Sequence, residues 1–339
     1  MALYIYGIIN TNKKKSFGPC GINADEEVYT FPYQDIAGVV STSSLPDLSS
    51  IFKETLGRYL IKHQQVIERI MGEYTIIPMK FGTLAKDEGE LKEVLARGYP
   101  QFKKLLTNME GNIELDVACI WNDLNSIIKK IGEEDKEISQ FKAEIAKKPP
   151  QETFEDRIKI GAMISEALGK KREKEKAEMI NFLKGIMLDH REHEVMNDQM
   201  ILNCGFLLEK EREKEFENGL EELNKKYNEK VNFKCVGPLP PYSFATCQLK
   251  KVASDKIDEA RRLLGLGEKI SLEEVKESYR KWVQKNHPDK HPDNKKLKQE
   301  FEKITEAYKL LSSCCQEEAL SLEDKGKEDF IMVEVARPQ

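Results

Sequence analysis

The sequence lacks the features of a membrane protein and of a secreted, disulfide-stabilised one. No apolar run in its 339 residues approaches the roughly eighteen residues that a membrane span needs. Its seven cysteines are odd in number and never spaced as CxxC, which argues against a disulfide framework and against a zinc ribbon. The opening residues carry no basic leader and no small-residue cleavage site. We therefore expect a cytoplasmic protein that contacts no membrane.

The sequence also lacks an excess of positive charge and the motifs of several large enzyme classes. Its formal net charge of −5 gives no overall attraction to nucleic acid, so any basic binding site must be local. No GxxxxGK[ST], GxGxxG, HExxH or GxSxG motif is present. His190 and His193 are three residues apart on a predicted helix and could share a metal ion, but no third ligand is evident nearby, which favours a solvated helix end. We therefore predict no enzyme activity, no cofactor and no metal site.

What the sequence does contain predicts a multidomain α+β protein. Residues 1–110 are expected to form a small α+β unit with strands at residues 3–9, 36–41 and 74–81, and with helices at residues 52–71 and 87–106. The first helix carries apolar residues at three-to-four spacing, which predicts one buried face against the sheet. That face comprises Leu56, Tyr59, Leu60, His63, Val66, Ile67 and Ile70.

Residues 111–250 predict a second α+β unit with a modified ferredoxin-like sheet. Its first strand, residues 114–121, alternates apolar and polar side chains as a half-buried strand does. A helical hairpin follows at residues 124–190, with arms at 124–145 and 153–189 separated by two prolines. The remaining elements are a strand at 200–208, a helix at 211–227 and a strand at 231–249. This order predicts one sheet with its helices on one face.

Three stretches of these first 250 residues resemble the GvpF/GvpL family of gas vesicle accessory proteins. They are LYIYGII at the start, IIPMKFGT near residue 80, and LNCGFLLEKEREKEF followed by VGPLPPYSF. The string GPLPPYSF is the most specific of them, because such a proline-rich octapeptide is hard to obtain by chance. The resemblance implies a non-enzymatic accessory protein that acts on or beside the small, very hydrophobic shell subunit.

The proline-rich string has two interpretations that the sequence leaves open. Prolines remove backbone donors and favour an extended path, so the segment cannot lie in the middle of a sheet. It could be a rigid edge-strand entry that packs on the protein's own core, or it could dock a partner. The residues concerned are Pro238, Pro240, Pro241, Tyr242 and Phe244.

Residues 255–315 predict three helices. The second helix begins with a capping box, in which Ser271 precedes Glu274 by three residues. Its apolar residues lie on one side, and basic residues lie on the other, with acidic residues in the first turn. The basic face consists of Lys276, Arg280, Lys281 and Lys285.

This C-terminal segment resembles a J-domain. Tyr279 lies eight residues before His287, and Phe301 lies fourteen after it, as the family pattern requires. The resemblance assigns the working HPD motif to His287, Pro288 and Asp289, and it implies that this motif and the basic face bind a DnaK-type chaperone and trigger its ATP hydrolysis. A second HPD at residues 291–293 has the wrong distance from Tyr279.

Two features distinguish the chain from a complete DnaJ-like protein. It has no Gly/Phe-rich linker and no CxxCxGxG zinc region, which implies that client binding is delegated to the unrelated body. The tail, residues 316–339, contains DFIMVEVA, which could add an edge strand to the body or bind a partner.

Acidic residues interleave the basic face of the second C-terminal helix and no aromatic platform accompanies that face, so we expect no nucleic-acid binding.

These observations lead to one function hypothesis and two rivals. The first is a gas vesicle assembly factor whose body binds the shell subunit or other Gvp proteins and whose J-domain recruits a DnaK-type chaperone to them, in the cytoplasm and at the gas vesicle. The second is a minor structural component of the vesicle with a non-functional J-like domain. The third is a general co-chaperone whose body is incidental.

Overall fold

A computed structural model describes residues 1–23, 25–43, 51–286, 295–315, 320–321 and 330–336, and strands and helices alternate through most of this part of the chain. The strands are β1 (Ala2–Ile9), β2 (Ser16–Pro19), β3 (Glu27–Tyr33), β4 (Ile36–Ser43), β5 (Ile76–Pro78), β6 (Leu84–Ala85), β7 (Asn112–Trp121), β8 (Asp189–Glu192), β9 (Met200–Glu209), β10 (Val231–Leu239), β11 (Cys247–Val252), β12 (Lys269–Ile270), β13 (Leu320–Ser321) and β14 (Phe330–Val335). The helices are α1 (Lys53–Met71), α2 (Glu88–Met109), α3 (Leu124–Glu134), α4 (Lys136–Ile145), α5 (Phe154–Leu183), α6 (Glu213–Tyr227), α7 (Tyr242–Ala245), α8 (Ser254–Leu263), α9 (Leu272–Asn286) and α10 (Lys295–Cys314).

The first sheet is antiparallel and has helices on both faces. Its order is β2-β3-β4-β1-β5, with β6 also paired to β1. Because successive side chains of a strand point to opposite faces, β1 contributes to two separate cores. Tyr4 and Tyr6 pack with α1, whereas Leu3 and Ile5 pack with α2. This double burial explains why β1 is apolar almost throughout.

The predicted stripe on α1 is confirmed in its C-terminal half and wrong at one position. His63, Val66, Ile67 and Ile70 are buried against the first sheet, as expected. Leu60 is 49% exposed and does not belong to the buried face. Strands β2 and β3 were not predicted, because β2 is short and rich in small residues while β3 contains a proline that obscures its alternation.

The second sheet has the predicted ferredoxin-like topology. All neighbours are antiparallel in the order β10-β7-β9-β8, and the connections run β7, helix, β8, β9, helix, β10. One face of β7, which includes Leu115, Val117 and Cys119, packs against α5 and α6. The helices therefore cover one face, and the opposite face of β7 and β9 is turned toward the first unit, where Leu207 joins the α2 core.

The first arm of the helical hairpin is broken, which the sequence prediction missed. We expected one helix over residues 124–145, but α3 ends at Glu134 and α4 begins at Lys136. Asp135 lies between them in an extended conformation, and its carboxylate accepts hydrogen bonds from the backbone N–H groups of Glu137 and Ile138. An aspartate that caps a new helix in this way ends the previous one. The second arm, α5, is continuous.

The predicted single strand over residues 231–249 is also wrong, because the segment divides into three parts. Strand β10 ends at Leu239, α7 forms one turn, and β11 starts at Cys247. Prolines 240 and 241 cannot continue a strand ladder, so the chain turns there and crosses from the second sheet to the first. Cys247 then forms a parallel bridge with Met79, and its carbonyl accepts a hydrogen bond from the Lys80 N–H at 2.7 Å.

The three C-terminal helices pack around one core, and the chain's last described strand fastens this core to the first unit. Val275 of α9, Ile304 and Leu311 of α10 are buried together. Strand β14 pairs antiparallel with β11 along its whole length, so this part of the tail adds a strand within the chain, as one of the two interpretations expected. Phe330 of β14 contributes to the helical core and also lies under the Arg97 guanidinium of α2, at 3.8 Å from the ring centroid.

A second contact joins this two-stranded ribbon to α2. Lys251 of β11 forms an ion pair with Glu90 at 2.5 Å, and the Glu90 side chain is only 6% exposed. Val333 packs on the core between the first sheet and α2. The helical unit is thus held by a paired strand and by apolar contacts rather than by a free linker. No helix among the described residues has the length and apolar character needed to cross a membrane.

His63 is the most strongly perturbed basic group of the first unit. Its ring is buried between Tyr6 and Phe81, and the Tyr4 hydroxyl donates to Nδ1 at 2.9 Å while accepting a hydrogen bond from the Gly82 N–H. Gly82 has a φ of 85°, which favours glycine at this turn. Burial lowers the pKa of His63 from its ordinary 6.5 to about 4, so the imidazole is neutral in the folded protein.

This buried imidazole predicts a specific loss of stability in acid. Between the two pKa values the unfolded chain binds a proton that the folded chain does not, so stability is complete above about pH 6.5 and falls as the pH drops to about 4. The shift corresponds to about 3 kcal/mol. Melting temperatures measured at pH 7.5, 5.5 and 4.5 should fall with decreasing pH in the wild type and in Tyr4→Phe. In His63→Leu the fall in melting temperature with pH should be smaller. Equal slopes in all three would contradict the assignment.

Candidate functional site

The side chains of the predicted basic face of α9 are exposed. Lys276, Arg280, Lys281 and Lys285 are all exposed. Lys281 forms an i,i+4 ion pair with Glu277 at 2.7 Å on the helix surface, a contact of small energy in water. Four cations on one helix face produce a local positive potential in a chain whose net charge is negative.

Two sets of contacts hold α9 in place. At its start, Ser271 and Glu274 form the predicted capping box, with the Ser271 N–H donating to Glu274 at 2.8 Å and the Glu274 N–H donating to Ser271 Oγ at 3.3 Å. The backbone hydrogen bond from Ser271 lowers the pKa of Glu274. On the inner side, Tyr279 stacks on Tyr308 of α10 with ring centroids 4.2 Å apart. The basic face is therefore carried by a helix whose other side is fixed.

The predicted HPD motif lies outside the described residues. Helix α9 ends at Asn286 and α10 begins at Lys295, so both candidate motifs, residues 287–289 and 291–293, fall between these two helices in the sequence. His287, Pro288 and Asp289 follow directly after the last turn of the basic face. Their role in chaperone binding stays a prediction.

The proline-rich segment packs largely on the protein's own core. Pro240 and Pro241 are buried, whereas Pro238 is exposed. Tyr242 packs in the core beneath α1, and Phe244 packs in the core beneath α2. The segment therefore connects two hydrophobic cores. A partner-docking role for its five residues is untested and would have to start from Pro238.

A cluster of polar side chains that the sequence analysis missed lies where this segment meets the second sheet. It contains Glu114 and Asp116 of β7, His193 just after β8, and Ser243 of α7, and we call it the acid–histidine cluster. One ligand atom from each of Glu114, Asp116 and His193 lies within 4.8 Å of the others. Glu114 is only 1% exposed, whereas Asp116 and His193 are half-buried.

Hydrogen bonds connect most of this cluster. The Ser243 N–H and Oγ both donate to the Glu114 carboxylate, at 2.8 and 2.5 Å, and Ser243 Oγ lies 3.2 Å from His193 Nε2. Asp116 Oδ1 is buried and receives no hydrogen bond from an N–H or hydroxyl group among the described residues. Burial raises the pKa of Glu114, against the hydrogen bonds from Ser243, and burial also raises the pKa of Asp116. A hydrogen bond between the two carboxyl groups further raises the pKa of Glu114 and lowers that of Asp116.

The space for the cluster depends on a residue without a side chain. Gly205 of β9 pairs with Asp116 of β7, and a Cβ at this position would lie 2.8 Å from Glu114 Oε1, 2.9 Å from Ser243 Oγ and 3.1 Å from Asp116 Oδ1. Contacts under 3.0 Å are essentially never seen for a real Cβ. The three polar groups therefore converge above the backbone of Gly205.

The structure corrects our interpretation of the two histidines. His190 lies in strand β8 rather than on a helix, and its ring stacks on Phe206 with centroids 6.3 Å apart. His193 instead meets Glu114 and Asp116, which are about eighty residues earlier in the chain. The available signal was the pair of acids at i and i+2 of β7, which strand alternation places on one face. The sequence predicted only a half-buried strand there, whereas the polar face of β7 meets Ser243.

Comparison with known proteins identifies two regions of the chain. A family model described as gas vesicle synthesis protein GvpL/GvpF matches residues 2–246, and a DnaJ domain model matches residues 262–318. The first match contains both sheets and the acid–histidine cluster. The second contains α9 with its basic face, both HPD sequences and α10.

Similar proteins agree with this division. Gas vesicle protein F1 of Halobacterium salinarum is 23% identical over 71% of this chain and 92% of its own length. The crystal structure of GvpF from Anabaena sp. PCC7120 superposes with a TM-score of 0.63 at 23% identity, over 72% of this chain and 98% of that chain. Chaperone protein DnaJ of Anaplasma marginale is 51% identical over 15% of this chain, a region that is 14% of that chaperone.

The crowded contact at Gly205 predicts the effect of a single methyl group. Gly205→Ala should destabilise the protein by about 1 to 3 kcal/mol, because the added Cβ must displace the side-chain oxygens of Glu114, Ser243 and Asp116. Gly161→Ala is the matched control, since a Cβ there has nothing within 4 Å and alanine favours the helix interior. Urea unfolding curves should shift to lower concentration for Gly205→Ala alone. Unchanged stability of Gly205→Ala would show that the cluster is not packed as described.

Proposed function

Because this chain belongs to the GvpL/GvpF family of gas vesicle synthesis proteins and also carries a DnaJ domain, we propose that it is a gas vesicle assembly factor that recruits a DnaK-type chaperone. Its body would bind the shell subunit or other Gvp proteins, in the cytoplasm and at the gas vesicle. The DnaJ domain would bring the chaperone to those clients. The observation that carries the proposal is that one chain combines a body that matches the GvpL/GvpF family model with a DnaJ domain.

The geometry of α9 supports the chaperone-binding half of this proposal. The four basic side chains are exposed on one face of a helix that two packed aromatic residues fix in place. Exposed cations attract an acidic partner surface at short range and raise the association rate. Asp289, three residues after the end of α9 in the sequence, would offer a carboxylate to a partner arginine, which is a strong charge-assisted hydrogen bond.

Gas vesicle assembly gives such recruitment a physical purpose. A shell subunit apolar enough to exclude water exposes hydrophobic surface before it is incorporated, and such surface aggregates. A chaperone brought to the subunit by the protein that binds it would act where the risk arises. The chain provides this coupling within one molecule, because β14 and β11 join the helical unit to the first unit.

The chaperone hypothesis predicts stimulation of a DnaK-type ATPase that depends on the first HPD motif. The purified full chain should accelerate steady-state ATP hydrolysis by the cognate chaperone, and purified shell subunit should enhance the effect. Asp289→Asn should raise the concentration needed for half-maximal stimulation by roughly tenfold or more, because it removes one charge-assisted hydrogen bond.

The second HPD provides the matched control for this experiment. Asp293→Asn makes the same chemical change four residues later and should leave stimulation at the wild-type level. Equal activity of the wild type and Asp289→Asn, or an equal loss in both variants, would contradict the assignment of the working motif.

A structural role in the vesicle is the second candidate, and the exposed sheet edge favours it. Strand β10 is the outer strand of the second sheet, and Val236 on it is 58% exposed. An edge strand of this kind can add to another strand. If the protein is a structural component, washed intact vesicles should retain it in full. An assembly factor should instead leave mature vesicles and remain in the unbound fraction, as measured by quantitative immunoblotting.

A further inference from the structure

We propose that the acid–histidine cluster binds one divalent transition-metal ion, with Zn²⁺ as the expected ion. The ligands would be carboxylate oxygens of Glu114 and Asp116 and the imidazole of His193. Ser243 would position Glu114. This inference is independent of the chaperone hypothesis, since the cluster lies in the body and shares no residue with the DnaJ domain.

The donor set fits a transition metal. Imidazole nitrogen and carboxylate oxygen together are ligands that Zn²⁺ and Mn²⁺ accept, whereas Ca²⁺ and Mg²⁺ prefer oxygen alone. Three protein ligands leave a fourth position for water, a common arrangement around Zn²⁺. The sequence spacing gives no hint of it, because β7 and the loop after β8 meet only through the sheet order.

The geometry requires only a small adjustment. The three ligand atoms lie within 4.8 Å of one another. Around a tetrahedral Zn²⁺ with bonds of 2.0–2.2 Å they would lie about 3.4 Å apart. Metal binding would therefore bring these atoms closer together by up to about 1.4 Å. Asp116 and His193 are half-buried and so provide access from solvent, while Glu114 forms the buried floor.

The surroundings of the two carboxyl groups also fit a ligand. Asp116 Oδ1 is buried and receives no hydrogen bond from an N–H or hydroxyl group among the described residues, and the hydrogen bond between the Asp116 and Glu114 carboxyl groups is one that a cation bound to both could replace. The position above Gly205 is kept free of any Cβ, and atoms of Glu114, Asp116 and Ser243 all face it. A cation between Glu114, Asp116 and His193 would bind Asp116 Oδ1 on the side away from Gly205, because the Cβ position itself is too close to the Gly205 backbone to hold an ion.

The neighbouring cation does not neutralise this cluster. Arg191 pairs with Asp189 at 2.8 Å and donates to the His190 carbonyl. Its guanidinium lies over the Phe244 ring, 5.1 Å from the centroid. Glu114 has no cationic partner in the part of the chain that the structure describes, and its side chain forms hydrogen bonds with Ser243 and with Asp116.

A metal ion at this place would link three separated parts of the chain. Glu114 and Asp116 belong to the central strand pair of the second sheet, His193 to the loop after β8, and Ser243 to the segment that crosses to the first sheet. Binding would therefore favour the folded over the unfolded state and stabilise the joint between the units. The expected signature is thermal stabilisation by the ion.

The test is metal binding to the full-length protein, purified without a histidine tag and stripped with a chelator. Calorimetric titration with ZnCl₂, followed by melting curves, should show one site that raises the melting temperature. His193→Gln should weaken this binding by more than about 100-fold, beyond the 10- to 100-fold that loss of an outer partner costs. Ser243→Ala, as the loss of a positioning residue, should weaken it by about tenfold.

His190→Gln is the matched control, because it removes a histidine three residues away that is not in the cluster. It should bind Zn²⁺ as the wild type does. Co²⁺ absorption provides a second measurement, since carboxylate and imidazole ligands lack the intense near-ultraviolet band of a thiolate and so distinguish this site from the exposed Cys235. Tighter binding of Mn²⁺ than of Zn²⁺ would support the transition-metal site and would identify Mn²⁺ as its preferred ion.

Three results would overturn the proposal. They are the absence of a site in the wild type, equal affinity in His193→Gln and His190→Gln, and a thiolate band in the Co²⁺ spectrum that accounts for all bound metal. In each of these cases Glu114 and Asp116 form a carboxyl pair held by hydrogen bonds alone. Stimulation of the chaperone ATPase can succeed or fail independently of this outcome.

Discussion

The backbone path between Leu239 and Val252 is the constraint on which the rest of the structure depends. At its start the chain leaves the second sheet, because Pro240 and Pro241 cannot continue the ladder. In its middle, Tyr242 and Phe244 enter the two cores on opposite faces of the first sheet. At its end, β11 pairs with β14, and both strands contribute side chains to the core of the C-terminal helices. One crossing segment therefore joins both sheets and the DnaJ domain.

This arrangement attaches the DnaJ domain to the body through packed contacts. Three contacts join the ribbon of β11 and β14 to α2 and its core. Lys251 forms an ion pair with Glu90, the Arg97 guanidinium lies over the Phe330 ring, and the Val333 side chain packs on the apolar core beneath α2. Buried apolar contacts stabilise such a junction more than the exposed ion pairs of the surface do. A chaperone bound to α9 would thus take a defined position relative to whatever the body holds, which a flexible Gly/Phe linker would not provide.

The parts that could be predicted from the sequence are those with a local signal. Alternation identified β7, the Ser271–Glu274 pair marked the start of α9, and the order of elements gave the ferredoxin-like sheet. The missed features depend on contacts distant in sequence or on one competing local bond. Asp135 breaks the predicted hairpin arm by capping α4. Glu114 meets His193 only because β9 pairs with β7 on one side and with β8 on the other. Likewise, no local sequence pattern indicates that the tail strand β14 pairs with β11.

The central claim is that one molecule joins a gas vesicle client to a DnaK-type chaperone, and a capture experiment tests it most directly. Shell subunit is immobilised, and retention of the chaperone is measured in the presence of ATP, with this chain added or omitted. The account predicts that the chaperone is retained only when the full chain with an intact Asp289 is present. Equal retention without the chain, or no retention when the chain itself is bound to the shell subunit, would contradict it.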